Sequence, residues 1–522
     1  MGLVGNRRLT ELWDSCGQAV GSLLSTACHD CSTAECRLST SSTAKQTIEK
    51  PSVFLYCISD QTKHTKYRRY PQMVSANTLC KKLLNVKHAV VEDANFYLDQ
   101  DGVNHLRIHA RTDKWHQDDC PFCHRRCPRY DQKIDQPRTW RSLDFGATLV
   151  EIEGWTHRVK CPEHGVVTAY VPWAYPGSGF TRDFDLTVGW LAVYLPRSVV
   201  SQYMRIDWET VGRCVNRTLN DIEPERSRRL DNLVNIGIDE TSYKKGHKYI
   251  TVIVNHDTNT VVWAAQGHGK SVLTQFYKQL TPEQLSSIKV VTGDGAKWIT
   301  ECVNEFTPDC ERCVDPFHVV QWAMEALDEV RREVWREAYA EFINLSKEHP
   351  RKKGRPKADD PEAAILNAAK AKADEIKNSA YALGKAPENL TEKQQNRIAM
   401  IAGSNKRLYR AYQMKEMLRL ILKIKDTDEA EAALRRWLWW ASHSRIDAFK
   451  KLYLKIKRHR EHILNSIRLG MSNARIEAIN NKIKLVVRKA YGFRNIQNML
   501  DMVYLVCSDL RVPLPNRKSR GG

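Results

Sequence analysis

Apolar residues recur in several distinct rhythms along the chain. Between residues 147 and 168 they alternate with polar ones, as in Ala147-Thr-Leu-Val-Glu-Ile-Glu153, the period of half-buried strands. Residues 183–220 switch to a helical period, in which 196–206 and 207–217 read as helix, short turn, helix. Asp207 is placed to cap the second helix, and Val211 and Val215 lie one turn apart on its inward face. Residues 232–320 alternate strands with helices: strands at 234–240, 248–256 and 260–266, a helix over 270–280, and a buried strand over 288–294. Residues 321–468 are almost wholly helical, and an amphipathic helix with its successors closes the fold between 471 and 510.

Two ends and one loop lack such rhythm. Residues 1–72 hold a Ser/Thr/Ala-rich patch and scattered cysteines without sustained period, and read as a poorly ordered extension, with Met73 as an alternative start. The run Arg351-Lys-Lys-Gly-Arg-Pro-Lys357 reads as a solvated loop, and the Pro/Arg/Gly-rich tail 513–522 as frayed. The expected fold class is a multidomain α/β protein. Its units are an N-terminal segment 73–118, a cysteine-bearing module 119–170, a helical pair within 175–225, an α/β core in two parts (232–323 and 469–512), and an all-α insertion 324–468.

Composition narrows the class. The 522 residues are 42% apolar and 27% charged, which excludes a disordered or collagen-like chain. No run of about 18 apolar residues occurs and the N-terminus lacks a secretory pattern, so the expectation is a cytoplasmic protein without a membrane span. Fifteen cysteines in a long polar chain point to a reducing compartment with some thiols on metal. A formal charge of +20 favours a polyanionic partner, nucleic acid first.

Cys120-Pro-Phe-Cys123 and Cys161-Pro-Glu-His164 are two ligand pairs on turns, separated by strand-like sequence. That spacing suits a closed tetrahedral Zn²⁺ site of structural role, with Cys127 as a spare ligand. The pairs Cys28/Cys31 and Cys310/Cys313 read as incidental, the latter on a buried strand. On the second helix of the pair, Thr210, Arg213, Asn216 and Arg217 are expected to face outward, with side chains suited to phosphates and base edges.

The strand 234–240 ends in Asp239-Glu240 and the strand 288–294 in Asp294. If these strands are neighbours, the two aspartates emerge together at the sheet edge, where adjacent carboxylates call for a divalent cation. Asp315 and His318 follow the next strand and are placed to support the site. The third acid is Glu477, the only one between Glu461 and Asp501; Ile476, Ile479 and Ile483 form the apolar stripe of its helix. Two Asp and one Glu around Mg²⁺ suit phosphoryl transfer, with Lys482, Lys484, Arg488 and Arg494 on DNA phosphates.

These motifs together resemble the bacterial insertion-sequence transposases of the ISL-three type, over about residues 73–510. The likeness is carried by Cys120-Pro-Phe-Cys123, Ile236-Gly-Ile-Asp-Glu240, Val290-Val-Thr-Gly-Asp294, Asp315-Pro-Phe-His318, and the stretch from Ser472-Asn-Ala-Arg-Ile-Glu477 to Lys489-Ala-Tyr-Gly-Phe-Arg494. The resemblance implies a zinc ribbon, a helix-turn-helix and a ribonuclease-H-like core with Asp239, Asp294 and Glu477 as its acidic triad on Mg²⁺ or Mn²⁺. It further implies a nucleoid-associated DNA transposase that binds terminal inverted repeats as a homodimer, cleaves, and joins strands to target DNA. A nuclease without joining and an inactive DNA-binding regulator are the alternatives. Ala478 stands where the family often has glycine, and His164 where many members have cysteine. Trp437, Trp439 and Trp440 read first as helix core and second as a stacking surface for a DNA base.

Overall fold

The computed structural model describes residues 75–131, 137–350, 360–472 and 474–515. The expectations for 1–72, for the basic run 351–357, for Cys28 and Cys31, and for most of the tail lie outside the described residues.

Helix α1 (Ala76–Leu84) begins at Ser75, whose hydroxyl accepts the Thr78 N–H. Strands β1 (Ala89–Leu98), β2 (Asn104–Thr112), β3 (Arg138–Arg141) and β4 (Leu149–Gly154) form one sheet in the order β1-β2-β4-β3. Alternation along β4 turns Val150 and Ile152 inward. Trp140 and Trp173 meet edge to face at 5.4 Å beneath the sheet. Because β4 pairs with β2, this sheet runs across the boundary expected at residue 118. Strands β5 (Arg158–Cys161) and β6 (Gly165–Thr168) make a separate hairpin, its turn closed by Gly165 at φ +70°.

Helices α2 (Arg182–Tyr194), α3 (Arg197–Met204) and α4 (Trp208–Ile222) follow. Arg205, at φ +53°, ends α3 and lets the chain turn directly into α4. Asp207 occupies the N-cap position of α4 but its side chain makes no capping bond.

The central sheet contains β7 (Asn235–Lys244), β8 (Lys248–Asn255), β9 (Thr260–Gln266), β10 (Val290–Gly293) and β11 (Glu311–Val314), in the order β11-β10-β7-β8-β9. β7, β8 and β9 are an antiparallel meander, whereas β10 and β11 run parallel to β7. One face packs Ile236, Ile238 and Val291 against α5 (Lys270–Tyr277) and α7 (Lys297–Phe306), with α6 (Pro282–Ser287) between them in sequence. The other face carries Ile250, Val252 and Val254.

The chain then leaves the sheet. Helix α8 (Pro316–Glu348) is followed by α9 (Pro361–Lys377), α10 (Ala380–Gly384), α11 (Glu392–Ser404), α12 (Lys406–Ile421), α13 (Thr427–His443), α14 (Asp447–Arg458) and α15 (Arg460–Leu469). These helices share a large core of their own. Trp437 is fully buried in it and donates its indole N–H to the Met414 carbonyl at 2.8 Å, Trp440 packs partly against it, and Trp439 is exposed.

Helix α16 (Ala474–Lys489) returns to the sheet, laying Ile476, Ile479 and Ile483 on its second face. The last helix, α17 (Ile496–Cys507), packs against both the sheet and α4. Asn216 of α4 donates to Asp501, and the Ala264 N–H of β9 donates to Tyr504 Oη at 2.8 Å. Among the described residues no helix is long and apolar enough to cross a membrane.

Candidate active site

The register of β10 on β7 pairs Thr292 with Gly237, so Asp294, just past the end of β10, lies level with Asp239. Asp239 is held from two sides. The Glu240 N–H donates to its Oδ1 at 2.8 Å and Asn480 Nδ2 donates to its Oδ2 at 2.6 Å. Burial pushes the Asp239 carboxyl above the usual range and Asp294 adds to the rise, while the Glu240 N–H, His318 and Asn480 pull the other way. Asp294 accepts the Ala296 N–H at 2.9 Å, and its carbonyl takes a hydrogen bond from Arg312. Arg312 is buried beneath the pair, and that burial lowers its guanidinium to about 10.

Helix α16 reaches this edge because Gly237 has no side chain. A Cβ there would sit 2.1 Å from Ile476 Cδ1, 2.7 Å from His256 Nε2 and 2.9 Å from Thr292 Oγ1. Glu477 follows Ile476 directly, is exposed, and stands one helical turn before Asn480. The three carboxylates therefore lie midway along β7, just past the end of β10 and on the helix across them; β7 does not end at Asp239-Glu240 as expected but continues, paired with β8, to Lys244, and the carboxylate oxygens do not gather within 4.8 Å of one another. Asp315 caps α8 by accepting the Phe317 N–H at 3.3 Å, and His318 on its first turn acts electrostatically on Asp239.

Asn480, which touches Asp239, and His256, which touches Thr292 behind the candidate site, were not among the residues expected from the sequence. Asn480 lies on the buried stripe of α16, between Ile476 and Ile483, and its Oδ1 is buried without a hydrogen-bond partner. A lone amide on an otherwise apolar stripe was the available signal. An oxygen-rich edge of this kind, with an unsatisfied amide oxygen beside a carboxylate, suits a hard divalent cation.

The second cluster is Cys120, Cys123, Cys161 and His164, whose ligand atoms all lie within 4.8 Å of one another. Cys123 Sγ is 3.6 Å from Cys161 Sγ, and His164 Nδ1 is 3.7 Å from Cys120 Sγ and 3.6 Å from Cys161 Sγ. Tetrahedral Zn²⁺ with bonds of about 2.0–2.3 Å needs edges of roughly 3.3–3.8 Å, so the quartet fits. The His164 backbone N–H, aimed at Cys161, draws that thiol down to about 6. Cys127 stays outside the quartet: it donates to the Arg125 carbonyl, and burial lifts it to about 11.

Against this geometry stand the similarities to known proteins. Residues 236–503 match the family model of the ISL3 DDE transposases, described as "Transposase". Residues 170–219 match the helix-turn-helix domain of transposase family ISL3. The chain is 42% identical over 444 residues to the transposase for insertion sequence element IS1557 of Mycobacterium tuberculosis, covering 84% of this chain and 97% of that protein. The chain belongs to the ISL3 family of insertion-sequence transposases. A more distant likeness, 26% over 299 residues, links it to the transposase for insertion sequence element IS1001 of Bordetella parapertussis, covering 57% of this chain and 66% of that one.

The transposase's helix-turn-helix match takes in α2, α3 and most of α4, and here the outward face expected from sequence needs correction. Thr210 is buried, not exposed. Arg217 forms a two-pronged bond to the fully buried Asp185, at 2.7 and 2.8 Å. Asn216 is occupied by Asp501 at 2.8 Å. Arg213 alone of the four is exposed, and it donates to Thr210 Oγ1. The physical reason is that α4 is covered on two sides, by α2 and by α17, so its free face is narrower than one apolar stripe implies. On α16 and beyond, Lys482, Lys484, Arg488 and Arg494 are all exposed.

Proposed function

We propose that the transposase recognises the ends of its element and catalyses divalent-metal-dependent cleavage and strand transfer there. The observation that carries this reading is the level placement of Asp239 and Asp294 on parallel neighbours, with the helix of Glu477 laid across them. The sheet order, a three-stranded meander with two parallel strands added on one side, supports a ribonuclease-H-like core.

Asp239, Asp294 and Glu477 are the residues to hold Mg²⁺ or Mn²⁺. When bound, such a cation supplies Lewis-acid activation of a water or 3′-hydroxyl and stabilises the leaving oxygen. The protein's own part is to orient. Asn480 and the Glu240 N–H fix the Asp239 carboxylate, and Arg312 fixes the backbone at Asp294 from below. Lys482, Lys484 and Arg488, on the exposed side of α16, take DNA phosphates close to the acids. The cysteine–histidine quartet would hold Zn²⁺, which when bound would stiffen the module that precedes the helix-turn-helix, and Arg213 contributes to end recognition. Two ends have to be held together for transposition, which favours a homodimer on nucleoid DNA.

The test is Mg²⁺-dependent reaction on DNA carrying the gene's own flanking sequence, with Glu477→Gln as the comparison. End-specific nicks and joined products that vanish in the variant are expected. Nicks without joining would make the protein a nuclease, and binding without cutting in either form would leave a regulator.

A further inference from the structure

A cleft of about 750 Å³ opens where α4, β7 and the turn after α16 come together, away from the carboxylates. Its walls are aromatic and basic. Trp208 opens α4, and the buried Arg197 lies over its ring at 4.0 Å, fixing the indole. Tyr491 stands opposite in the turn, 87% exposed, on a left-handed backbone (φ +52°) followed by Gly492 at φ +94°. Arg494 lies 6.0 Å from the Trp208 ring, and Arg213 and Lys244 complete the basic lining. Asp207 and Glu209 also border the cleft.

Such a surface is unusual for a soluble protein to leave uncovered. A tyrosine so exposed gains nothing from the core, and the turn holds it in a conformation that non-glycine residues seldom adopt. Aromatic faces beside cations are what a nucleic-acid strand needs: bases stack on the rings and phosphates pair with the arginines and lysine. Carboxylates at the border are poor neighbours for phosphates but accept from the exocyclic amines of cytosine or adenine.

The position is as informative as the chemistry. The cleft is built from the far ends of the two elements that carry Asp239 and Glu477. Gly237 meets Ile476 and Asp239 meets Asn480, so α16 runs along β7 in the same direction; Tyr243 and Val487 pack into one cluster further on. At ~3.3 Å per strand residue Tyr243 lies about 13 Å from Asp239. At ~1.5 Å per helical residue Tyr491 lies about 20 Å from Glu477. At ~3.4 Å per nucleotide this separation is about four to six nucleotides.

We propose that this cleft binds one strand of the element's end DNA, with an unstacked base against Tyr491, about four to six nucleotides from the phosphate that is cut. The inference rests on the transposition reading above, and α16 acts as the spacer between the bound base and the acids.

The experiment places 5-iodo-2′-deoxyuridine at successive positions of the end DNA, bound to the full chain, because this base crosslinks on irradiation to an aromatic ring stacked on it. Mobility shift is measured in parallel. Crosslinks to Tyr491 at one or two adjacent positions, about four to six nucleotides from the cut, are expected. Tyr491→Ala should abolish them, slow cleavage about tenfold and leave affinity within about threefold, while Tyr491→Phe retains crosslinking and cleavage. Shifted DNA whose crosslinks map elsewhere, or Tyr491→Ala cutting at the parental rate, would overturn the cleft and leave the transposition reading standing. A parent chain that shifts no DNA at all would overturn both.

Discussion

Asn480 donates its amide to Asp239 across 2.6 Å, tying α16 to β7 two positions beyond the glycine that lets the helix approach. The bond opposes the rise that burial imposes on the Asp239 carboxyl. Asn480→Ala should therefore raise that carboxyl further and move the acid limb of the cleavage pH profile upward. Cleavage near neutral pH should fall roughly 10- to 100-fold, as expected when a catalytic group loses its positioning bond. DNA affinity should stay unchanged, which a mobility shift checks; an unmoved pH profile would show that Asn480 does not tune Asp239.

Gly237→Ala should destabilise the protein by roughly 1–3 kcal/mol, because its Cβ needs space that Ile476, His256 and Thr292 already fill. Since Ile476 precedes Glu477, cleavage should suffer more than stability does. Urea unfolding and single-turnover cleavage on one preparation separate the two effects.

Arg213 and Arg217, four residues apart on α4, should respond in opposite ways. Arg217→Ala leaves the fully buried Asp185 without its charged partner and with the Ser178 hydroxyl as a neutral donor, a loss on the order of 3–5 kcal/mol. Its thermal transition should drop, and any loss of DNA binding should follow that drop. Arg213→Ala should weaken DNA binding at an unchanged transition temperature.

Stability should decline as pH falls from about 6.5 toward 4. Burial, reinforced by Arg475, holds the His256 imidazole down at about 4, and its Nε2 lies 2.7 Å from Thr292 Oγ1. Unfolded, the same group takes its proton near 6.5. The contribution is thus complete above 6.5 and is lost as pH drops to 4, amounting to roughly 3 kcal/mol at the lower end. His459 is lowered to about 4 as well, also by burial, and acts in the same sense. Unfolding free energies across this range should slope less in His256→Gln than in the parent.

Cys161→Ser should cost the protein one equivalent of tightly bound zinc, whereas His164→Cys should keep it, since four thiolates satisfy the same tetrahedron. Metal analysis of the purified variants decides the matter.

Much of this architecture was legible in the sequence because it depends on short-range rhythm. The strand end before Asp294, the meander that begins with β7 and the apolar stripe of α16 all follow from local periodicity, whereas β7 runs four residues past the end expected at Glu240. What escaped depends on partners far along the chain. The polar side of α4 looked free because its covers come from other helices: Asp185 of α2 takes Arg217, and Asp501 of α17, almost 300 residues away, takes Asn216. Similarly, the cysteine-bearing stretch suggested a separate unit from residue 119, but β4 pairs back onto β2 across that point. Asn480 shows in the sequence only as a lone amide on an apolar stripe; the bond that gives it meaning is to Asp239, 241 residues away.

The contact between Asn216 and Asp501 also bears on how the protein is made. A ribosome that has translated as far as α15 has already released β7, β10 and α4, yet the chain so far lacks both Glu477 and α17, one of the two helices that cover α4. Helix α4 and the candidate site thus become complete within the same last stretch of synthesis. A message broken between residues 295 and 470 yields a product whose α4 lacks the cover of α17 and whose candidate site has two acids instead of three.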